Sequence, residues 1–597
     1  MDGDVFLLLS STWTNWWKYG SALDLDFANS RGFNSATPNQ TTPDSILTYT
    51  SPSVKMVYGS TGVLGFAPHN LLLRSQLFDS ASSWSVPAGS AIAADNTAAP
   101  DGTTTADKLT RASTSGVALG YGNGGIGLSV TAARHTISFY AKADTQSSFT
   151  LAFVTGGKAL GSEVVFNLSS VTAGTVTNYG ATTGSVASIV DVGNGWMRCA
   201  LSVTATATTW YIQAEMPSAG AYYLWGAQLN LGSSALTYIP TTTAAVYSLP
   251  IDYNPTTFAS LGVLIEEQRT NLLTYSEQFD NAAWVKASST VTANQATAPD
   301  GTVTADLFVP TAVVANHDVR QVVTVAAVSY TLSVHAKPAG YDWLHITYFN
   351  GTVDVQAYFN VATGAIGGTT GSPVTTINSV GNGWYRCSIA FTGVVGRNNF
   401  DVGVVPADGG RAVAGNGASG GYLWGAQLEA GAFPTSYIPT VASQVTRAAD
   451  QVSILTSAFG YNAAAGTVAV QGSGIRGVDS RYVSIINVST NARTIDVFSP
   501  AGVTVRTYSD AAGFLDPSPN SIAALSENKV AAAYKLNDYA VALNGGSVSV
   551  DTTTAALPTA DVMRVGRYTA QQPNGYIKRL TYFPTRRTNA DLQGLTT

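Results

Sequence analysis

The sequence predicts an all-β protein in which one sandwich occurs twice and is followed by a different β domain. Three observations carry this. Four sequence blocks recur in the same order roughly 200 residues apart, too long a period for a solenoid repeat. Charged residues make up only 11% of the 597, while Thr, Val and Gly are abundant, a composition that suits strands joined by turns. Alternating runs bounded by Asn-Gly and Gly-rich turns fill the chain, and convincing amphipathic helices are scarce.

The duplication is explicit. Asn70-Leu71-Leu72, Phe78-Asp79 and Trp84 return as Asn271-Leu272-Leu273, Phe279-Asp280 and Trp284. Ala99-Pro100-Asp101-Gly102-Thr103 returns as Ala298-Pro299-Asp300-Gly301-Thr302, and Val192-Gly193-Asn194-Gly195-Trp196 as Val380-Gly381-Asn382-Gly383-Trp384. Tyr223-Leu224-Trp225-Gly226-Ala227-Gln228-Leu229 returns as Tyr422-Leu423-Trp424-Gly425-Ala426-Gln427-Leu428, and each copy closes on Tyr-Ile-Pro-Thr, at Tyr238 and Tyr437. Duplicated domains serve display or binding more often than one active site.

Taken in order, Met1–Leu9 carries acids where a signal peptide needs positive charge, so export by the usual secretory route is not expected. No apolar run reaches the length of a membrane-spanning helix. Trp13, Trp16, Trp17 and Tyr19 crowd a segment outside the repeats, which suits either anchoring to another protein or packing on the first sandwich. The sandwiches themselves are placed near residues 70–240 and 271–440. In each, a strand that starts at Trp196 or Trp384 follows an Asn-Gly pair, which tolerates the positive φ angles of a tight hairpin. The leads ending at Gly62-Val63-Leu64 and Gly262-Val263-Leu264 read as parts of the repeat unit. Lys529–Lys535 and Asp538–Gly546 read as a hairpin series, Asn574–Phe583 as a strong strand, and Thr588 with Asp591 as the capped start of a short helix.

A net charge of −6 argues against nucleic-acid binding, which needs a basic stripe. Cys199 and Cys387 hold equivalent positions in the two copies, so a disulfide between them is not expected, and each reads as a small core residue. The six repeated tryptophans read as core because their strand neighbours are apolar. Aromatic residues in variable, polar stretches are the better sugar-stacking candidates: Tyr121, Trp210, Tyr341, Trp343 and Tyr348. Asp101 and Asp107, with Asp300 and Asp306, are candidate oxygen ligands of a structural calcium, although a Pro-Asp-Gly turn explains Asp101 and Asp300 without metal. No cofactor is required. Gly417–Gly421 and Gly120–Gly125 match a nucleophile elbow and a dinucleotide fingerprint as strings, but both lack the strand-to-helix context those motifs need. Five scattered histidines and no carboxylate pair common to the repeats give no catalytic residues, and Asp318, Asp342 and Asp354 are left as glycosidase candidates by default.

The series Asn271-Leu272-Leu273, Trp284, Gly383-Trp384 and Tyr422–Leu428, with the lead Gly262–Asn271, resembles modules of bacteriophage and prophage virion surface proteins that look like carbohydrate-binding jelly rolls. The run from Lys529 through Gln593 resembles the concanavalin-like, or laminin-G-like, domain that follows them in such proteins. The first copy departs from the pattern, with Gly65–His69 where the second has Ile265–Thr270. The resemblance implies an N-terminal anchoring segment at 1–54, jelly rolls at 55–245 and 246–445, and a concanavalin-like sandwich at 446–597. It further implies a non-enzymatic fibre or spike, assembled in the host cytoplasm and held on the virion surface. Its partners would be other phage virion proteins, through the N-terminal segment, and host-surface glycans. Analogy with fibres suggests a homotrimer, with no nucleic acid and no membrane insertion. The alternatives are a decoration protein that binds no sugar and a polysaccharide depolymerase.

Overall fold

The computed structural model describes residues 20–597 apart from 52, 113–114, 123–126, 207, 353, 474–479, 501–503, 518–520, 523–525, 554–555 and 570–571. The chain is all-β and forms two compact units. One comprises residues 51–259 and 268–448, and the other is built from 449–597 with 260–267 and the described part of the first 50 residues.

The first unit contains both repeated sandwiches. In the first module, one sheet runs in the order Val186–Gly193, Trp196–Ala205, Ala133–Ala143, Gly220–Leu231, Ala106–Arg111, Ser90–Thr97. Its partner runs Thr172–Ala173, Gly161–Asn167, Ser148–Thr155, Thr208–Met216, Gly116–Tyr121, Trp84–Ser85. The second module reproduces both orders. Val374–Ser379, Tyr385–Thr392, Ser329–Ala339, Gly420–Ala430, Val303–Pro310 and Ser289–Thr297 form its first sheet. Ala365–Thr370, Asp354–Asn360, Trp343–Phe349, Gly396–Val405, Asp318–Val325 and Val285–Ala287 form its second. The sequence duplication is therefore a duplication of topology.

Each repeated block has a structural reason. Asn70 and Asn271 are fully buried hubs. The Asn271 amide donates to Ala426 O (3.0 Å) and Ile438 O (2.9 Å), and its oxygen accepts from Leu273 N (3.2 Å) and Leu428 N (3.1 Å). Asn70 makes the same four bonds with Ala227, Ile239, Leu72 and Leu229. One side chain thus ties the Asn-Leu-Leu segment to the Trp-Gly-Ala-Gln-Leu strand and to the Tyr-Ile-Pro-Thr closure. The repeated tryptophans are buried with their indole N–H groups satisfied. Trp84 and Trp284 donate to the carbonyls of Arg74 and Tyr275, Trp196 and Trp384 to those of Ala98 and Thr297, and Trp225 and Trp424 to the hydroxyls of Thr105 and Thr304. Gly226 and Gly425 lie at φ +61° and +63° where the register slips beside Tyr140 and His335, a bulge that only glycine enters without strain. Asn194-Gly195 and Asn382-Gly383 take positive φ at both positions, as the hairpin reading required. Both cysteines are free and buried.

Lead hairpin Met56–Tyr58/Leu64–Phe66 does not lie over the first module's tryptophans. Met56 and Leu64 pack on Trp384, Trp424 and Tyr437 of the second module, and Leu64 N donates to Pro299 O at 3.0 Å.

The second unit is a two-sheet sandwich. Its larger sheet runs Thr37–Thr41, Arg31–Asn34, Leu23–Asp26, Gly575–Phe583, Ala465–Ser473, Asn528–Lys535, Tyr539–Leu543, Ser549–Asp551. Its smaller sheet runs Thr48–Thr50, Gln451–Leu455, Val562–Val565, Ser480–Ile486, Arg493–Ser499, Arg506–Ser509, Gly513–Leu515. The helix Asn589–Thr596 opens on a capping box between Thr588 and Asp591 and packs Leu592 and Leu595 over Ala531, Ala533 and Ala542.

Two expectations are corrected here. The anchoring segment placed at 1–54 is, over residues 20–50, a piece of this sandwich. Leu23 and Leu25 are buried strand residues, and Asp24 accepts from Arg579 Nη2 (2.8 Å), Arg579 Nε (3.2 Å) and Thr581 Oγ1 (2.8 Å). The alternation of Leu23, Leu25 and Phe27 is a strand signal that the crowded tryptophans upstream overshadowed. Trp13, Trp16, Trp17 and Tyr19 lie outside the described residues. The second lead is also not part of a repeat unit, because Val263, Leu264 and Ile265 pair with Ile577, Tyr576 and Gly575.

Candidate functional site

Strand parity sorts the aromatic candidates. In Trp343–Phe349, Leu344, Ile346 and Tyr348 point into the core, so Trp343, His345 and Thr347 lie on the opposite face of the sheet, where His345 and Thr347 are themselves buried and Trp343 is partly exposed. Tyr348 is therefore not a sugar platform. Its ring stacks on Phe391 at 4.3 Å, and its hydroxyl accepts from Val394 N. Trp210 is corrected likewise, because Trp210, Ile212, Ala214 and Met216 all point inward and its N–H donates to Thr206 O. Tyr121 belongs to the same core, edge-on to Trp84, with its hydroxyl accepting from Leu73 N. Tyr341 is partly buried against the second core. Of the five, Trp343 alone has an outward-facing strand position beside polar side chains.

The sheet face that carries Trp343 bears a row of polar side chains along its length. Cross-strand rows place Trp343 beside Val405 and Asn360, His345 beside Gly403 and Tyr358, and Thr347 beside Asp401 and Gln356. Arg411 lies across this face. Its guanidinium is 3.1 Å from Asp401, 3.3 Å from Asp318 and 3.6 Å from Asp354. Asp318 and Asp401 are buried, whereas the Asp354 side chain is 46% exposed and offers its carboxylate to solvent. Burial first, and Asp318 second, push Asp401 up to about 7 against the pull of Arg411. Burial also raises Asp318. His345 Nε2 lies 3.0 Å from His317 O, and desolvation first, then Arg411, lower this ring to about 3, so it is a neutral donor. Gly367 lets the Trp343 ring and the Asp408 carboxylate approach the backbone, since a Cβ there would lie 2.5 Å from each. Asp408 is fixed by Gly368 N at 2.9 Å.

The equivalent sheet of the first module repeats the theme with other residues. Lys158 sits 2.5 Å from Glu163 and 2.9 Å from Glu215, with its ammonium over the Tyr179 ring at 5.7 Å. Desolvation works against its charge, but hydrogen bonds and attraction from the two carboxylates hold its pKa above the usual lysine value. Each module thus presents a cation seated on carboxylates, over the Tyr179 ring in the first and on the same sheet face as Trp343 in the second. Such a face can donate to and accept from vicinal hydroxyls while a ring covers an apolar patch. None of Lys158, Asp401, Asp408 and Arg411 was singled out from the sequence. The available signal was rarity, because in so charge-poor a chain a buried ion group is conspicuous.

The four aspartates proposed for calcium do not suit it. Asp306 accepts from the backbone amides of Phe279 (2.7 Å), Asn294 (3.0 Å) and Asp280 (3.2 Å), and Asp107 from those of Asp95 and Phe78. Burial raises both to about 6 despite these amides. Asp101 and Asp300 accept from the amide and hydroxyl of Thr103 and Thr302 within their turns. Donors that point at these oxygens would repel a cation, and among the described residues no three acidic, His or Cys side chains are placed so that they could hold a metal ion.

No family model matches the chain, and no curated protein matches it. Among solved structures, the N-terminal CBM22-1–CBM22-2 tandem domain of Paenibacillus barcinonensis Xyn10C is similar over 61% of this chain and 99% of that one, at 12% identity and a TM-score of 0.18. The Trypanosoma rangeli sialidase in complex with 2,3-difluoro-KDN is similar over 85% and 98%, at 10% identity and a TM-score of 0.21. Superpositions this loose carry no argument about this chain.

Proposed function

We propose that this chain is a non-enzymatic virion surface protein of a bacteriophage, a fibre or spike whose sandwich modules bind host-surface glycans. The observation that supports glycan binding is Trp343 with Asp408 at one end of a sheet face of the second module whose other end carries Arg411 and the half-exposed Asp354, together with Lys158, Glu163, Glu215 and Tyr179 on the first. The phage assignment rests on the resemblance of the repeated blocks. Shallow sites of this kind bind weakly one at a time, and two modules per chain in a homotrimer would compensate through effective concentration. Of the aspartates left as glycosidase candidates, Asp318 lies buried under Arg411 and cannot reach a bound sugar, which favours binding over cleavage. Labelled full-length chain applied to a panel of bacterial cells tests the reading. Staining competed by the isolated surface polysaccharide is expected.

A purely decorative role is the second reading, and the burial of Tyr121, Trp210 and Tyr348 favours it. Absence of staining by folded protein would select it.

A further inference from the structure

The two modules have the same fold but differ in what covers one face. On the second module, Val380, Trp384, Trp424 and Tyr437 are buried under the Met56–Phe66 hairpin. A Cβ on Gly301 would lie 3.4 Å from Val63, and one on Gly381 would lie 2.9 Å from the Pro255 carbonyl oxygen. On the first module the same turns are open. Nothing among the described residues lies within 4 Å of a Cβ on Gly102 or Gly193, and Asp101 and the whole run from Asp191 to Gly195 are exposed. Tyr238, the counterpart of buried Tyr437, is only partly covered.

We propose that this face of the first module, formed by the Pro100–Gly102 turn, the Val192–Gly195 turn and Tyr238, is a seat for a β-hairpin of a second polypeptide. The occupant would have the chemistry of the hairpin that fills the equivalent seat: a Val-Leu pair at its second strand and a main-chain N–H free to donate. In the filled seat those groups are Val63, Leu64 and the bond from Leu64 N to Pro299 O. In the open seat the corresponding acceptor is the Pro100 carbonyl. The chain's own leads cannot supply the occupant, because Met56–Phe66 is seated on the second module and Ser260–Ile265 is paired with Gly575–Phe583. The flanking turn points the same way, because Val192 is 42% exposed where its counterpart Val380, under the hairpin, is 6%. The inference is independent of glycan binding, which uses the opposite sheet of the same module.

A synthetic peptide spanning Lys55–Ala67, closed into a hairpin by a terminal disulfide, serves as the probe. Titrated into the full chain, it is expected to bind saturably at one site per chain. Val192→Arg should weaken binding by about tenfold or more, as loss of a central interface contact does. Val374→Arg, on the second module's edge strand, should leave binding unchanged, and a peptide carrying Leu64→Asp should not bind. Both arginine substitutions fall on exposed positions, and thermal melting checks that each variant is folded. Absence of binding at millimolar peptide overturns the proposal, as does binding that survives Val192→Arg.

Discussion

Val192 and Val380 occupy one position in two copies of one fold, yet the first is 42% exposed and the second 6%. Sequence and backbone are alike at this turn, so the difference lies in what covers it. A lead hairpin from the start of the first module is an integral part of the second module's core.

Leu64→Ala should therefore destabilise the second module, although Leu64 precedes the first. A buried leucine exchanged for alanine costs about 2–4 kcal/mol, depending on how far the site collapses. Differential scanning calorimetry should show the loss in one transition, and Leu77→Ala, at an exposed position of the first module, should leave the profile unchanged.

Asn271→Ala removes both donors and the acceptor of a four-bond hub and leaves two carbonyls and two amides without their partner. Each unsatisfied buried group costs about 1–3 kcal/mol, so the loss should be on the order of 3 kcal/mol or more. Urea unfolding measures it, and Asn70→Ala should cost a similar amount because its bonds are the same.

Glu277 stands where the first module has Gln76. Burial first, and the Asp300 carboxyl second, push Glu277 up to about 8, while the Tyr437 hydroxyl donates to it at 3.1 Å. A carboxyl whose pKa is higher folded than unfolded stabilises the fold fully below its ordinary value of 4.5, and that stability is lost as pH rises toward 8. Glu277→Gln should thus melt at a higher temperature than the parent at pH 8, and the advantage should vanish below pH 4.5. Melting curves across pH 4 to 9 test this, and an equal shift at every pH would refute it.

Much of the fold was legible because its rules are local. Asn194-Gly195 and Asn382-Gly383 set their hairpins through backbone conformation alone, and Thr588 with Asp591 set the last helix through capping. The repeated tryptophans read as core because their strand neighbours are apolar. What failed depended on partners distant in sequence. Leu23–Asp26 pairs with Leu580 and its neighbours, and Val263–Ile265 with Gly575–Ile577, and nothing local announces either pairing. At the site, Trp343 and Tyr348 looked alike in composition but differ by strand parity, which separates an outward ring from a core ring. Arg411 lies in a loop, and only the fold brings it over Asp318, Asp354 and Asp401.

The central claim is that the outward face around Trp343 binds glycan. The most direct measurement is glycan-array binding of the full chain beside its Trp343→Ala and Asp354→Asn variants, each checked for an unchanged melting temperature. The account predicts a defined set of glycans bound by the parent and lost or weakened at least about tenfold in Trp343→Ala, as expected when a stacking anchor is truncated. A folded parent that binds no glycan, or a Trp343→Ala variant that binds as the parent does, would contradict it.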